Sequence, residues 1–297
     1  MNMSPYEQQA LHNIQKWKEP SGNSMDKVMS YINYPIEKFV DKVSGVQGID
    51  WIMNKSVTGL FSLVNDFSHK SVRPEAIYDE YRDNGHDHIY EPSNIFTLDL
   101  EHVDKVVGFL AAKYKTLAIG QGAGCGYAGA PGIPVDIVAL TALNLRSLGE
   151  YATYYGFDIR SQEERLFALK ILQLSSSPTD GSKQVAMAQL VRLSKELARN
   201  RTWKQLETSS FVAVIQAICK SLGIRLTKAK MADLIPYIST LIGAGFNVYY
   251  TNKVCDSAFY LYRERFLAKK YGPEIITSID SNATINVSDW DDIDLND

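Results

Sequence analysis

Two sets of polar side chains stand in otherwise apolar, helix-patterned stretches of this sequence, and they are where chemistry could be done. The first is Asp136, Arg146 and Glu150; the second is Asn252, Asp256, Tyr260 and Arg263. With each residue advancing about 100°, the first three fall within about 80° of one another, and Arg146 and Glu150 are also i,i+4 neighbours. The second four share a face from which Arg265 points away. If the two stripes meet, the arginines can hold an anion through paired N–H donors and the aspartates serve as fixed acceptors, lining a site for a polar ligand. Buried ion pairs that fix helix register and ordinary solvent exposure are the two other readings of the same pattern.

The remaining reactive side chains are less organised. His86 and His88 flank Asp87, with His102 further on. A His-x-His pair can ligate zinc, but no spacing marks a third and fourth ligand, so a polar loop with two solvated histidines is expected and no metal is assigned. Neither GxSxG nor HExxH occurs, so the nucleophile or metal-bound water of a peptidase is not announced. The glycine cluster around Gly122 lacks a Gly-Lys-Ser/Thr ending and a preceding strand, which argues against nucleotide binding. With 31 basic and 34 acidic residues, a formal charge of −3 and aromatics without basic interleaving, the chain offers no electrostatic footprint for nucleic acid. No cofactor is indicated.

The elements that must position these residues read as helices. Periodicity near 3.6 runs through 4–17, 26–43, 51–67, 135–155, 161–174, 183–199 and 201–223, the last beginning near Trp203. Arg73 to Pro92 reads as broken and polar, and Thr97 as the N-cap of the next helix. Gly156 is placed as a helix C-cap, and SSSPTDGS (175–182) as an internal boundary or mobile connection. The expected fold is all-α: a multi-helix bundle over 1–273, with 274–297 an acidic, loosely held tail that contains no Lys or Arg.

Two segments interrupt this grammar. Thr116 to Val135 and Leu234 to Asn252 carry no charge, the first containing six glycines and the second Gly243-Ala-Gly245. Each leads toward a helix bearing one polar stripe, so the sequence predicts two Gly/Ala-rich helical hairpins related by an internal pseudo-repeat, against chance similarity among such helices. Their lengths approach the roughly 20 residues that span a bilayer, but Pro and Gly interruptions favour close helix packing or contact at a membrane surface over spanning. Three cysteines, Cys125, Cys219 and Cys255, lie in apolar surroundings without a paired framework and read as reduced, packed thiols. The N-terminus lacks the pattern of an export signal, so a cytoplasmic location is expected.

Trp17-Lys18, Thr97-Leu-Asp-Leu-Glu101, Gly129 to Asp136, Asn144-Leu-Arg146, Tyr155-Gly-Phe-Asp158, Glu163-Glu164-Arg165 and Arg263-Glu-Arg265 occur in an order that resembles the EcsC family, from about residue 10 to Gly272. The family is named for a protein encoded beside an ABC transporter linked to protein export, and the resemblance brings no defined biochemical activity and no catalytic residues. It implies an accessory protein at the cytoplasmic face of the membrane, acting through a protein partner or the membrane surface. Because members are sometimes labelled peptidases, the alternative is a hydrolase with a polar site between the two Gly-rich hairpins.

Overall fold

The computed structural model of the chain describes residues 3–19, 47–70, 72–125, 133–177, 180–199, 208–232 and 239–276, and these contain helices and no strand. The helices are α1 (Pro5–Lys18), α2 (Gln47–Lys70), α3 (Pro74–Asp83), the single turn α4 (Pro92–Ile95), α5 (Leu100–Val107), α6 (Leu110–Cys125), α7 (Ile133–Tyr154), α8 (Gln162–Ser176), α9 (Asp180–Ala198), α10 (Thr208–Ala232) and α11 (Ser239–Tyr271), followed by a 3-10 turn at Pro273–Ile275. The expected all-α fold is therefore observed. The expected helix at 26–43 and the start of one near Trp203 lie outside the described residues.

The long helix α11 organises the bundle, packing against α1 and each of α5 to α10. Every residue from Leu261 to Ala268 is buried, including Arg263, Glu264 and Arg265. Three consecutive helical residues point about 100° apart, so three buried charges in a row require a helix enclosed on all sides. Each charge finds its partner on a different neighbour. Arg263 meets Asp104 of α5 at 2.8 Å, Glu264 meets Lys18 of α1 at 2.5 Å, and Arg265 grips Glu164 of α8 through two N–H donors. The Arg265 guanidinium also lies 4.1 Å and 4.3 Å from the ring centres of Phe157 and Phe167. Cations placed over ring faces in this way gain from the ring quadrupole.

Local chemistry sets the helix ends. Ser4 and Glu7 close α1 with a reciprocal capping box, and Pro5 occupies its first turn, where a missing N–H costs nothing. Glu7 does a second job, accepting from Lys270 Nζ at 3.0 Å and Tyr271 Oη at 2.6 Å, which ties the start of α1 to the end of α11. After α7 the chain turns at Gly156, whose φ of +83° suits glycine. A Cβ there would also approach Pro92 O to 2.9 Å. Asn144 donates to Thr251 at 3.2 Å, Ser147 lies 4.0 Å from Cys255, and the Tyr155 and Phe266 rings meet edge to face. These contacts advance together along both helices, so α7 and α11 run parallel.

Several expectations change. Arg73 to Pro92 is not uniformly broken: Pro74 opens the ten-residue helix α3, which buries Ile77, Tyr78 and Tyr81. Thr97 does not cap the next helix, which begins after Asp99. Its hydroxyl instead donates to Asn94 O at 2.7 Å and meets His88 at 3.0 Å. The stretch 175–182 does not separate two bodies, because α8 and α9 on either side pack against each other. The paired-hairpin expectation also gains no support from the described elements. Gly120 lies near the end of α6, which is separate from α7, whereas Gly243 and Gly245 lie inside α11, a single helix continuing through Arg263. Packing reaches the buried Ile276, and 277–297 lie outside the described residues.

Candidate functional site

The seven polar residues singled out by spacing fall into separate environments, Tyr260 stacking on the Trp17 ring with centres 5.0 Å apart. Arg263 is closed off. With Asp104 it forms a pair in which both side chains are less than a tenth exposed, and Asp104 also accepts from Tyr6 Oη at 2.8 Å and Tyr155 Oη at 2.7 Å. Burial pushes the Asp104 carboxyl upward against the opposing pull of Arg263 and the two tyrosines. The same burial, with Asp104 beside it, holds the Tyr155 phenol well above its ordinary range. Asp104 was not foreseen, although it lies on the α5 face that carries the buried Leu100, Val103 and Val107. An acid inside such an apolar stripe is the signal that could have found it.

Two turns back along α11, Asn252 Nδ2 donates to Asp256 Oδ2 at 2.9 Å. Burial raises the Asp256 carboxyl despite Lys115 and Asn252, which act to lower it. Nearby Cys255 is fully buried and pushed up to about 12 by desolvation, so it lacks the stabilised thiolate that a nucleophile needs. Asp136 is buried in the first turn of α7, an end of the helix that favours negative charge.

Arg146 and Glu150 do come together, on the wall of an open cleft of about 830 Å³ formed by α2, α3, α6 and α7. Glu150 forms its floor, with its side chain 9% exposed, held by Lys113 Nζ at 2.6 Å and Arg146 Nε at 3.5 Å. The two cations stand half-exposed at the mouth. Glu80 enters from α3 and accepts a short hydrogen bond from Tyr154, while Arg73 at the start of α3 makes no ion pair with a described residue. Leu117, Leu143, Leu63 and Ile77 supply apolar lining. The cleft arises where stripes at spacings of three or four meet: 76, 77 and 80 on α3 with Arg73 at its N-cap, 113, 117 and 121 on α6, and 143, 146, 150 and 154 on α7, with Leu63 added from α2. Arg73 and Glu80 escaped the sequence reading because α3 did, although Pro74 is a helix-start signal.

The solvent-facing arc of α6 is unusual in composition. Phe109, just before it, is 89% exposed, and Leu117 and Ile119 are about half-exposed, with Ala112, Lys113, Thr116 and Gly120 between them. A surface helix normally turns a charged face outward. Here Lys113 is the exposed charge on that arc, and the half-buried Lys115 lies one turn before Ile119 at its edge. Among the described residues no helix is long and apolar enough to cross a membrane. The His86 and His102 rings lie 5.2 Å apart, but no three His, Cys, Asp or Glu side chains among the described residues gather as a metal-binding set.

Comparison with known proteins places the sequence in a wider group. The sequence model of the EcsC protein family matches residues 8–267. The uncharacterized protein YdbA of Bacillus subtilis strain 168 is 24% identical over 170 residues, which cover 57% of this chain and 59% of YdbA. Protein EcsC of the same organism is 22% identical over 189 residues, covering 61% of this chain and 73% of that protein. The match thus spans less than two thirds of YdbA's length. No solved structure matches the chain.

Proposed function

The chain belongs to the EcsC protein family, and from that premise we propose that it is a non-catalytic accessory protein acting at the cytoplasmic face of a membrane, with the link to transport or export that the family resemblance implies. The observation that carries this reading is the outward face of α6. Phe109, Leu117 and Ile119 offer apolar surface to solvent, beside the cations Lys113 and Arg146 at the cleft mouth. Apolar side chains that can enter the headgroup region, next to basic groups that attract anionic lipid, are what surface attachment requires. A protein partner with an apolar patch and acidic rim would use the same face.

Binding is favoured over hydrolysis by the chemistry of the cleft. Its described lining contains no Ser, Thr, Cys or His, and the buried carboxylate of Glu150 is engaged by two cations. The hydrolase alternative would need Asp256 and Arg263 to join Arg146 and Glu150 at one site, whereas Arg263 is occupied by Asp104. Flotation of the full chain with phospholipid vesicles tests the reading. The protein is expected to float with anionic vesicles, and the double change Leu117→Ser and Ile119→Ser to reduce the floated fraction at least fivefold without altering the far-ultraviolet spectrum. Failure to float with vesicles of any headgroup charge, or flotation unaffected by the double change, would overturn the lipid-contact reading.

A further inference from the structure

The cleft between α3, α6 and α7 has features that surface attachment alone does not use. Its volume of about 830 Å³ is in the range of sites that enclose small molecules, and its lining is of two kinds. The cations Arg73, Arg146 and Lys113 line it together with the apolar Leu63, Leu117 and Leu143. Against the three cations stand two carboxylates. Glu150 is shared by Lys113 and Arg146, and Glu80 is held by the Tyr154 hydroxyl. Arg73 makes no ion pair with a described residue, so the cleft has a surplus positive charge and an uncommitted guanidinium, the group best shaped to take two anionic oxygens at once. The wall also holds Gln121 Oε1, one of several buried polar side-chain atoms with no hydrogen-bond partner among the described residues.

We infer that this cleft binds a single-chain anionic amphiphile, its phosphate or carboxylate head between Arg73 and Arg146 and its alkyl chain along Leu117, Leu143 and Leu63. The inference deepens the lipid-contact reading by giving it a ligand class, and the two can fail separately. A free amphiphile in the absence of any bilayer tests the cleft, whereas vesicle flotation tests the α6 face. A multiply charged soluble anion would leave Leu63, Leu117 and Leu143 unused, and a neutral chain would leave Arg73 and Arg146 unused.

The test is calorimetric titration of the full chain with decyl phosphate below its micelle concentration, alongside decanol and inorganic phosphate. Decyl phosphate is expected to bind saturably with one site per chain, and each of the other two at least tenfold more weakly. Arg73→Gln and Arg146→Gln are each expected to weaken decyl phosphate at least fivefold while leaving the melting temperature unchanged, both side chains being exposed. Leu117→Gln, which removes part of the apolar lining, is expected to weaken it similarly without affecting inorganic phosphate. Absence of saturable binding, equal binding of decanol or of inorganic phosphate, or unchanged affinity in both arginine variants would overturn the proposal.

Discussion

Replacing Asp104 by Ala would leave the Arg263 guanidinium buried without its counter-charge. It would also remove the acceptor used by the hydroxyls of Tyr6 and Tyr155. Breaking a buried ion pair from one side costs about 3–5 kcal/mol, because the remaining charge stays desolvated. For a chain of this size each kcal/mol moves the melting temperature by about 2–4 °C, so a fall of roughly 6–20 °C is expected by circular dichroism at 222 nm. Removing both charges, with Asp104→Leu and Arg263→Met, takes away the desolvation cost as well as the attraction. What remains is the loss of an acceptor for two tyrosine hydroxyls, about 1 kcal/mol each. The double variant should therefore be more stable than Asp104→Ala although it carries more changes. A single variant that loses less than about 1 kcal/mol, or a double variant less stable than either single one, would refute the claim that this pair is closed and structural.

Three further outcomes follow from the geometry. Gly156→Ala should destabilise clearly more than Gly85→Ala in chemical unfolding. Both positions have φ near +85°, worth about 1–2 kcal/mol against a side chain, but the new methyl meets Pro92 O and the Phe96 ring at Gly156 and open space at Gly85. Glu7 is buried, which works to raise its carboxyl, but hydrogen bonds from Tyr271, Ser4 and Lys270 outweigh this and hold it below its ordinary 4.5. Its contribution to stability is thus fully present above about pH 4.5 and lost as the pH falls through the depressed value, so Glu7→Gln should flatten the acid limb of a stability–pH curve; a limb unchanged by the substitution contradicts the assignment. Cys219 and Cys255 are fully buried, and desolvation pushes each thiol up to about 12. At pH 8 both should resist iodoacetamide in the folded protein and react after denaturation, as read by mass spectrometry of the labelled peptides.

The sequence made the helical class legible because apolar residues recur at helical spacing over most of the chain. It also made the ends of α1 and α7 legible, because Ser4-Pro5 and Gly156 carry local chemistry that needs no tertiary context. What it hid was pairing. Arg263 and Asp256 sit on one side of α11, seven residues apart, yet one is closed by Asp104, 159 residues earlier, and the other is bonded to its own helix neighbour Asn252. No periodicity within α11 distinguishes them, because the difference lies in which helix packs opposite. Arg146 and Glu150 were legible as an i,i+4 pair, but the cleft they line was not. It depends on α3, whose ten residues are too rich in Glu, Asp, Tyr and Arg to read as a packing helix until Ile77, Tyr78 and Tyr81 are seen buried. Asp104 was not singled out, and Lys18 and Glu164 entered only through the family resemblance and not as ion-pair partners, since isolated charges in amphipathic helices ordinarily face water.

The α6 face can be tested most directly by placing an environment-sensitive fluorophore on it. Ile119→Cys labels the exposed apolar arc, and Arg160→Cys labels an exposed site in the turn between α7 and α8, with the unsubstituted chain as the background for native thiols. On addition of anionic vesicles the probe at 119 is predicted to shift to the blue and become accessible to a lipid-soluble quencher, while the probe at 160 keeps its aqueous spectrum. No shift at 119, or equal shifts at both positions, would contradict membrane contact through α6.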